Sequence, residues 1–358
     1  MAFLAAGLAG AAVAGCGGGG HAATPSPVAR TGGAGQVTAA SSPTRSAGIT
    51  VAFAGDVHFE KRTVARLTDP PPALGPISQT LGAADVSLVN LETAITTRGT
   101  PEPKQWHFRA PASALGVLQQ SGVKVVTMAN NHAADYGGDG VRDSLAAIRT
   151  GPIPVIGFGA DADAAYRPYV ADVRGTKIAL IAASQIHDRT MSAWKAGPGK
   201  PGIASALDTD RLVAAVRQAR QQGAQAVIVY VHWGTEGSAC PNSEQKALAA
   251  LLARAGVTAV VGTHAHQLLG AGTIGGTYVA YGYGNFLWHL DNAYSNDTGV
   301  DTITIRAGRV VAERFTPAFI DSRGVPMPAT GTAAARIQDK WLHPAACAGL
   351  GPLPPPAA

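Results

Sequence analysis

Ile49-Thr50-Val51-Ala52-Phe53-Ala54 runs directly into Gly55-Asp56-Val57-His58, and four further apolar runs end in the same kind of chemistry. Asp85-Val86-Ser87-Leu88-Val89 leads into Asn90-Leu91-Glu92, and Val123-Lys124-Val125-Val126-Thr127-Met128-Ala129 into Asn130-Asn131-His132. Ala226-Val227-Ile228-Val229-Tyr230-Val231 leads into His232-Trp233-Gly234, and Val257-Thr258-Ala259-Val260-Val261 into Gly262-Thr263-His264-Ala265-His266. Short runs of this kind read as buried strands. In open α/β folds, ligands bind outside the carboxyl ends of the strands. Five such ends would gather Asp56, His58, Glu92, Asn131, His132, His232, His264 and His266, enough nitrogen and oxygen donors for two adjacent metal ions.

The spacings refine this reading. Side chains alternate along an extended segment, so Asp56 and His58 share a side, as do His264 and His266. The first pair alone is weak, since both residues are common in loops; two imidazoles in register are more specific. Asn131 offers a neutral, hard oxygen. His132 beside it points elsewhere, which suits an acid touching the substrate, with Asp135 accepting its other ring proton. The competing reading of Asn130-Asn131 is a left-handed turn, which asparagine tolerates. Glu92 fits a carboxylate bridging two cations, or else an exposed loop residue. His232 fits a ligand backed by Glu236, or a core histidine bonded to backbone. His107 and Arg109, within Trp106-His107-Phe108-Arg109, are candidates to meet an anionic or sugar substrate. Gly284-Asn285-Phe286 reads as a supporting turn, and His187 ends another expected strand, as a further site candidate or a surface residue.

The 358 residues are 46% hydrophobic and only 14% charged, with 44 glycines, 24 prolines and a net charge of +5. That is enough chain for one large core or two smaller ones. Lys and Arg are scattered, so a nucleic-acid-binding stripe is not expected. Phe3 to Val13 is a short apolar run ending at Val13-Ala14-Gly15-Cys16, which resembles a bacterial lipobox and makes Cys16 the expected lipidation site of an extracytoplasmic membrane lipoprotein. No Lys or Arg precedes the run, which allows a true start upstream of Met1. Residues 1–16 are thus an expected signal, 17–47 a flexible linker of small and polar residues, 48–348 the folded domain, and 349–358 a disordered Pro-rich tail. Cys240 and Cys347 form a disulfide or stand as free thiols.

Other expected strands are 153–157, 177–183, 277–281, and 301–306 with 309–315 joined as a hairpin through Ala307-Gly308. Helices are expected at 112–121, 140–149, 208–222 and 243–255, with Asp208 and Ser243 as N-caps and Gly223 and Gly256 as stops. About ten strands with four main helices favour an α/β sandwich over a single open sheet.

Taken in order, these motifs resemble the capsule-synthesis CapA family of the calcineurin-like metallophosphoesterase superfamily. The stretch Asn130-Asn131-His132-Ala133-Ala134-Asp135-Tyr136-Gly137 is the longest of them, followed by His232-Trp233-Gly234-Thr235-Glu236 and Gly262-Thr263-His264-Ala265-His266, and the resemblance spans about residues 49–290. It implies a four-layer αββα sandwich with two divalent ions, Mn, Fe or Zn. It implies that Asp56, His58, Glu92 and His266 hold one ion and that Glu92, Asn131, His232 and His264 hold the other, with His132 as general acid. The superfamily usually bridges with Asp, and Glu92 is one methylene longer. The family association is with making or exporting poly-γ-glutamate, so the implied partners are an anionic polymer or phosphorylated envelope substrate and a membrane synthase. Two functions follow: a metal-dependent hydrolase, or a non-catalytic accessory protein that holds polymer near the synthase. A solute-binding protein ranks third, because it has no need of this ligand set.

Overall fold

The computed structural model describes residues 48–69, 72–343 and 346–356; Cys16, the expected signal and the expected 17–47 linker lie outside the described residues. Two large sheets organise the domain. The first has the spatial order Pro326–Pro328, Arg309–Ile320, Asp297–Arg306, Ile49–Val57, Val86–Leu91, Val125–Thr127 and Val155–Ile156, with Asn285–Leu287 paired to the end of Ile49–Val57. The second has the order Leu268–Ile274, Thr277–Tyr283, Ala259–His264, Ala226–Trp233, Thr176–Ser184 and Tyr169–Val173. The ligand-bearing strands pair in parallel with one another, Ile49–Val57 through Val86–Leu91 to Val125–Thr127 in one sheet and Ala226–Trp233 with Ala259–His264 in the other. Their carboxyl ends therefore fall together at one edge of each sheet.

Side-chain alternation sets the layers. Val51 and Phe53 join Ile228 and Tyr230 in a core shared by the two sheets. Ala52 and Ala54 turn the other way, onto Leu81, Leu115 and Leu118 of the helices Ser78–Ala83 and Ser113–Gln120. Val227, Val229 and Val231 likewise pack with Leu212, Val216, Leu248 and Leu252 of the helices Thr209–Gln221 and Ser243–Arg254. Both faces of the inner strands are buried, which is why these strands read as unbroken apolar runs. The result is the expected four-layer αββα sandwich.

Local signals mostly act as expected. Asp208 accepts the Arg211 N–H at 3.2 Å as an N-cap, and Gly223 and Gly256 end their helices at φ +87° and +82°. Ala307 and Gly308, both at positive φ, make the hairpin turn. The cap of Ser243–Arg254 is Asn242 rather than Ser243. Its side chain accepts the Gln245 N–H at 2.9 Å while Gln245 Oε1 accepts the Asn242 N–H at 2.9 Å, a reciprocal pair that Ser243 cannot form from inside the helix. The strands Tyr169–Val173 and Leu268–Ile274 and the helix Gly331–Leu342 were not expected. Cys240 and Cys347 are disulfide-bonded. The tail is not free where it is described: Gly351 and Thr273 exchange two backbone hydrogen bonds, and Pro355 O accepts the Glu313 N–H. Proline removes donors but leaves these carbonyls available to a sheet.

Gly55 fixes the position of Asp56. A Cβ at Gly55 would lie 1.9 Å from the Gly284 carbonyl oxygen, the same oxygen that accepts the Asp56 N–H at 3.0 Å. Gly55→Ala is expected to cost about 1–3 kcal/mol in urea denaturation through overpacking. Stability within about 0.5 kcal/mol of wild type would contradict the close approach.

Candidate metal centre

Asp56 is wholly buried near the end of its strand. Its Oδ1 accepts Asn90 Nδ2–H at 2.7 Å. Its Oδ2 accepts the His264 backbone N–H at 3.3 Å and lies 3.4 Å from His266 Nδ1. Glu92 follows Val86–Leu91 and is pinned by its N–H on Val57 O at 2.8 Å. Asn131 and His132 come from the loop after Val125–Thr127. His232 sits inside Ala226–Trp233, and His264 ends Ala259–His264.

These side chains converge on one point. His232 Nε2 lies 2.8 Å from Asn131 Oδ1, 3.0 Å from His264 Nδ1 and 3.4 Å from Glu92 Oε1. Donor atoms sharing one cation at about 2.0–2.2 Å are spaced about this far apart. Both Glu92 carboxylate oxygens are buried without a hydrogen-bond partner, an expensive state for a charged group unless a cation meets it. Glu92, His264 and His266 also offer ligand atoms within 4.8 Å of one another. The donor set therefore fits a divalent metal.

Electrostatics agree. Burial raises the Glu92 carboxyl well above its usual range, and the nearby Asp56 charge adds to this. Burial lowers His232 to about 4 and takes His264 and His132 well below the usual imidazole range. Neutral imidazole is the ligand form. For Asp56 burial acts upward, but the His266 hydrogen bond and the histidine charges prevail and lower it. For His266 burial acts downward, but Asp56 and Glu92 prevail and raise it to about 9.

Three expectations change in detail. His264 and His266 do not share a side by strand alternation: both stand at positive φ, +96° and +57°, in a bend. Such backbone in non-glycine residues is characteristic of functional sites. His58 is buried nearby but turned to His289, whose backbone N–H and Nδ1 lie 3.2 and 3.0 Å from His58 Nε2. Glu236 lies near His266, with Oε1 3.9 Å from Nε2, rather than backing His232. The His232 Nδ1 partners are Asn90 Nδ2 and Thr263 Oγ1, each at 3.2 Å.

His132 and Asp135 pair as expected, Nδ1 to Oδ2 at 2.6 Å. Its Nε2 is 4.0 Å from Glu92 Oε1. Asp135 Oδ1 is 2.6 Å from Lys104 Nζ. Burial raises Asp135 to about 6 against the opposing pull of Lys104. A cleft with a cavity volume of about 70 Å³ opens beside the centre, bounded by Trp106, Phe108, Trp288 and Tyr294 and reaching His132 and His266. The structure does not bring His107 and Arg109 to this cleft. Alternation along the segment turns Trp106 and Phe108 inward; His107 Nε2 bonds Glu102 O, and the Arg109 guanidinium lies over Tyr136 at 4.7 Å. His187 is exposed, 3.4 Å from Glu244. Asn90, Lys104, Trp288 and His289 were not singled out. Asn90 stood inside a quoted motif, and His289 ends the apolar run Phe286-Leu287-Trp288, a signal of the same kind, whereas Lys104 follows no apolar run.

Residues 50–289 match the family described as bacterial capsule synthesis protein PGA_cap. The chain belongs to that family. It is 28% identical over 246 residues to the "PGA biosynthesis protein CapA" of Bacillus subtilis, covering 67% of this chain and 63% of that one. It is 25% identical to the "Capsule biosynthesis protein CapA" of Bacillus anthracis, covering 63% of this chain and 55% of that one. The matches thus span less than two thirds of either relative. A "Probable polyglutamine synthesis accessory protein" of Mycobacterium tuberculosis is 28% identical, covering 64% of each chain. Among solved structures, the "calcineurin-like phosphoesterase YfkN" of Bacillus subtilis is 14% identical, with a TM-score of 0.47 over 82% of this chain and 96% of that one.

The unpartnered carboxylate yields a test. With its folded pKa raised, Glu92 stabilises the metal-free protein fully only below the ordinary carboxylate range, and that stability is lost as pH rises through the folded value. In chelator at about pH 8, Glu92→Gln is expected to be more stable than wild type by about 1–3 kcal/mol, a gap that closes toward about pH 4. Adding Mn²⁺ or Zn²⁺ should reverse the order. Thermal melts with and without metal check this; a Glu92→Gln protein that is less stable in chelator at both pH values would contradict it.

Proposed function

We propose that this PGA_cap-family protein is a metal-dependent hydrolase or transferase of the bacterial cell envelope, acting on a phosphoryl or acyl group of an envelope polymer or its precursor. The observation that carries the reading is the buried Glu92 carboxylate, unpartnered and facing His232. Glu92, Asn131, His232 and His264 would hold one divalent ion. Asp56, Glu92 and His266 would hold a second; beside them His58 has its Nε2 engaged by His289 and its Nδ1 buried without a partner. Bound there, such ions supply Lewis acidity and a nucleophile at neutral pH.

The chain's own residues do the rest. Asp135, held by Lys104 and the Phe108 N–H at 2.7 Å, accepts from His132 Nδ1 and fixes its tautomer. His132 Nε2 is then the atom that exchanges a proton with the leaving group. The cleft beside it positions the substrate. The Cys240–Cys347 bridge supports an oxidising, extracytoplasmic location, consistent with anchoring through an acylated Cys16. An anionic polymer such as poly-γ-glutamate and a membrane synthase are the partners this reading proposes.

The accessory reading, in which the protein holds polymer without turning it over, draws support from His58, whose Nε2 is engaged by His289. Kinetics separate the two. With Mn²⁺ and a chromogenic phosphodiester, His132→Gln is expected to lower kcat by about 10²-fold or more at unchanged metal content. Absence of turnover in the metal-loaded wild type across phosphoester and amide substrates, with capsule function intact in the His132→Gln strain, would favour the accessory role.

A further inference from the structure

The wall of the cleft carries chemistry that the proposed reaction does not use. Trp106 and Tyr294 are 43% and 51% exposed although both line it. No Lys or Arg is among the described residues that line it, and Glu236 brings a carboxylate. The cations nearby are engaged: Lys61 Nζ sits over the Trp106 ring at 5.0 Å. Arg62 donates to the Trp288 and Ser322 carbonyls, each at 3.1 Å, and faces Asp291 at 3.5 Å. A run of carboxylates lying along the aromatic wall would meet Glu236 and find Lys61 and Arg62 engaged; the positive charge of the site lies at its inner end, at His266 and the proposed metals.

Two buried polar atoms in the lining are unpartnered. Asn285 Nδ2 is a donor, its Oδ1 being taken up by His266. His58 Nε2 accepts the His289 backbone N–H and so faces the protonated Nδ1 of His289, which makes the free His289 Nε2 an acceptor. An anion cannot serve an acceptor. A hydroxyl serves both atoms. These ring pairs form no parallel slot for a flat base: Phe108 and Trp288 stand at 84°, Trp106 and His289 at 54°, and Trp288 and His289 at 39°. Tilted aromatic walls beside neutral hydrogen-bonding groups suit a puckered ring with apolar C–H faces and hydroxyls at its rim.

We propose that the cleft binds a neutral sugar ring, so that the substrate is a glycan-containing envelope component whose phosphoryl or acyl group lies at the metal centre. This rests on the reading of the centre given above, but binding tests it separately. Calorimetric titrations of the full-length, metal-loaded protein with chitotetraose, cellotetraose and mannotetraose, and with poly-γ-glutamate and AMP, decide it. The expected result is binding of at least one neutral tetrasaccharide, insensitive to added salt and weakened about tenfold or more by Trp106→Ala. Tyr294→Ala should act in the same direction. Both side chains are largely exposed, so fold and metal content should stay unchanged, as circular dichroism and elemental analysis would verify. Poly-γ-glutamate binding that Trp106→Ala abolishes and salt weakens would overturn the proposal, as would Trp106-dependent AMP binding. So would the absence of Trp106-dependent binding across all three tetrasaccharides. Trp106-dependent sugar binding by a metal-loaded wild type that turns over no phosphoester or ester substrate would instead overturn only the hydrolase reading.

Discussion

Glu92 is wholly buried, its two oxygens have no hydrogen-bond donor, and the groups around it include another carboxylate and several neutral imidazoles. A lone carboxylate in such surroundings is destabilising by several kcal/mol unless it is protonated or meets a cation. The fold does not relieve this; it enforces it. The Glu92 N–H is fixed on Val57 O, and Gly55 lets the Ile49–Val57 strand close on Gly284 so that Asp56 stands beside the same point. Two sheets buried on both faces hold these strand ends too firmly for the side chains to turn to solvent. Stability is given up locally at a place where function gains from it.

Around that point the polar groups are organised in successive contacts. Asn90 ties Asp56 to Asn130, and Asn90 and Thr263 both meet His232 at Nδ1. Lys104 reaches both Asp135 and the Asn131 carbonyl. The same loops thus orient the atoms facing the candidate metals and the histidine facing the cleft. The disulfide joins the loop after His232-Trp233-Gly234 to the segment following the C-terminal helix, so this edge of the site is braced from a distant part of the chain.

Much of this was legible in the sequence, for a physical reason. A strand buried on both faces must be apolar throughout, so the polar residue that ends it stands out; Asp56, Glu92, Asn131, His132, His232 and His264 stand out this way, and their side chains lie near one another in the structure. Helix caps and stops were legible because their chemistry is local, as with Asp208, Gly223 and Gly256. What failed depends on distant parts of the chain. His58 turns to His289, some 230 residues on, and no spacing announces that contact. His107 and Arg109 were chosen for their charge, yet the extended segment presents the alternate residues, Trp106 and Phe108, to the cleft. Gly351 and Pro355 gain order from Thr273 and Glu313, which composition alone does not reveal.

The central claim is that the strand ends form a metal site, and the most direct measurement is the metal content of the full-length protein. Elemental mass spectrometry would be applied to wild type and to the His232→Ala, His264→Ala double variant after reconstitution with Mn²⁺, Fe²⁺ or Zn²⁺. The account predicts one to about two tightly held equivalents in wild type, lost or halved in a variant that remains folded. A folded wild type that retains none of the three metals would contradict it.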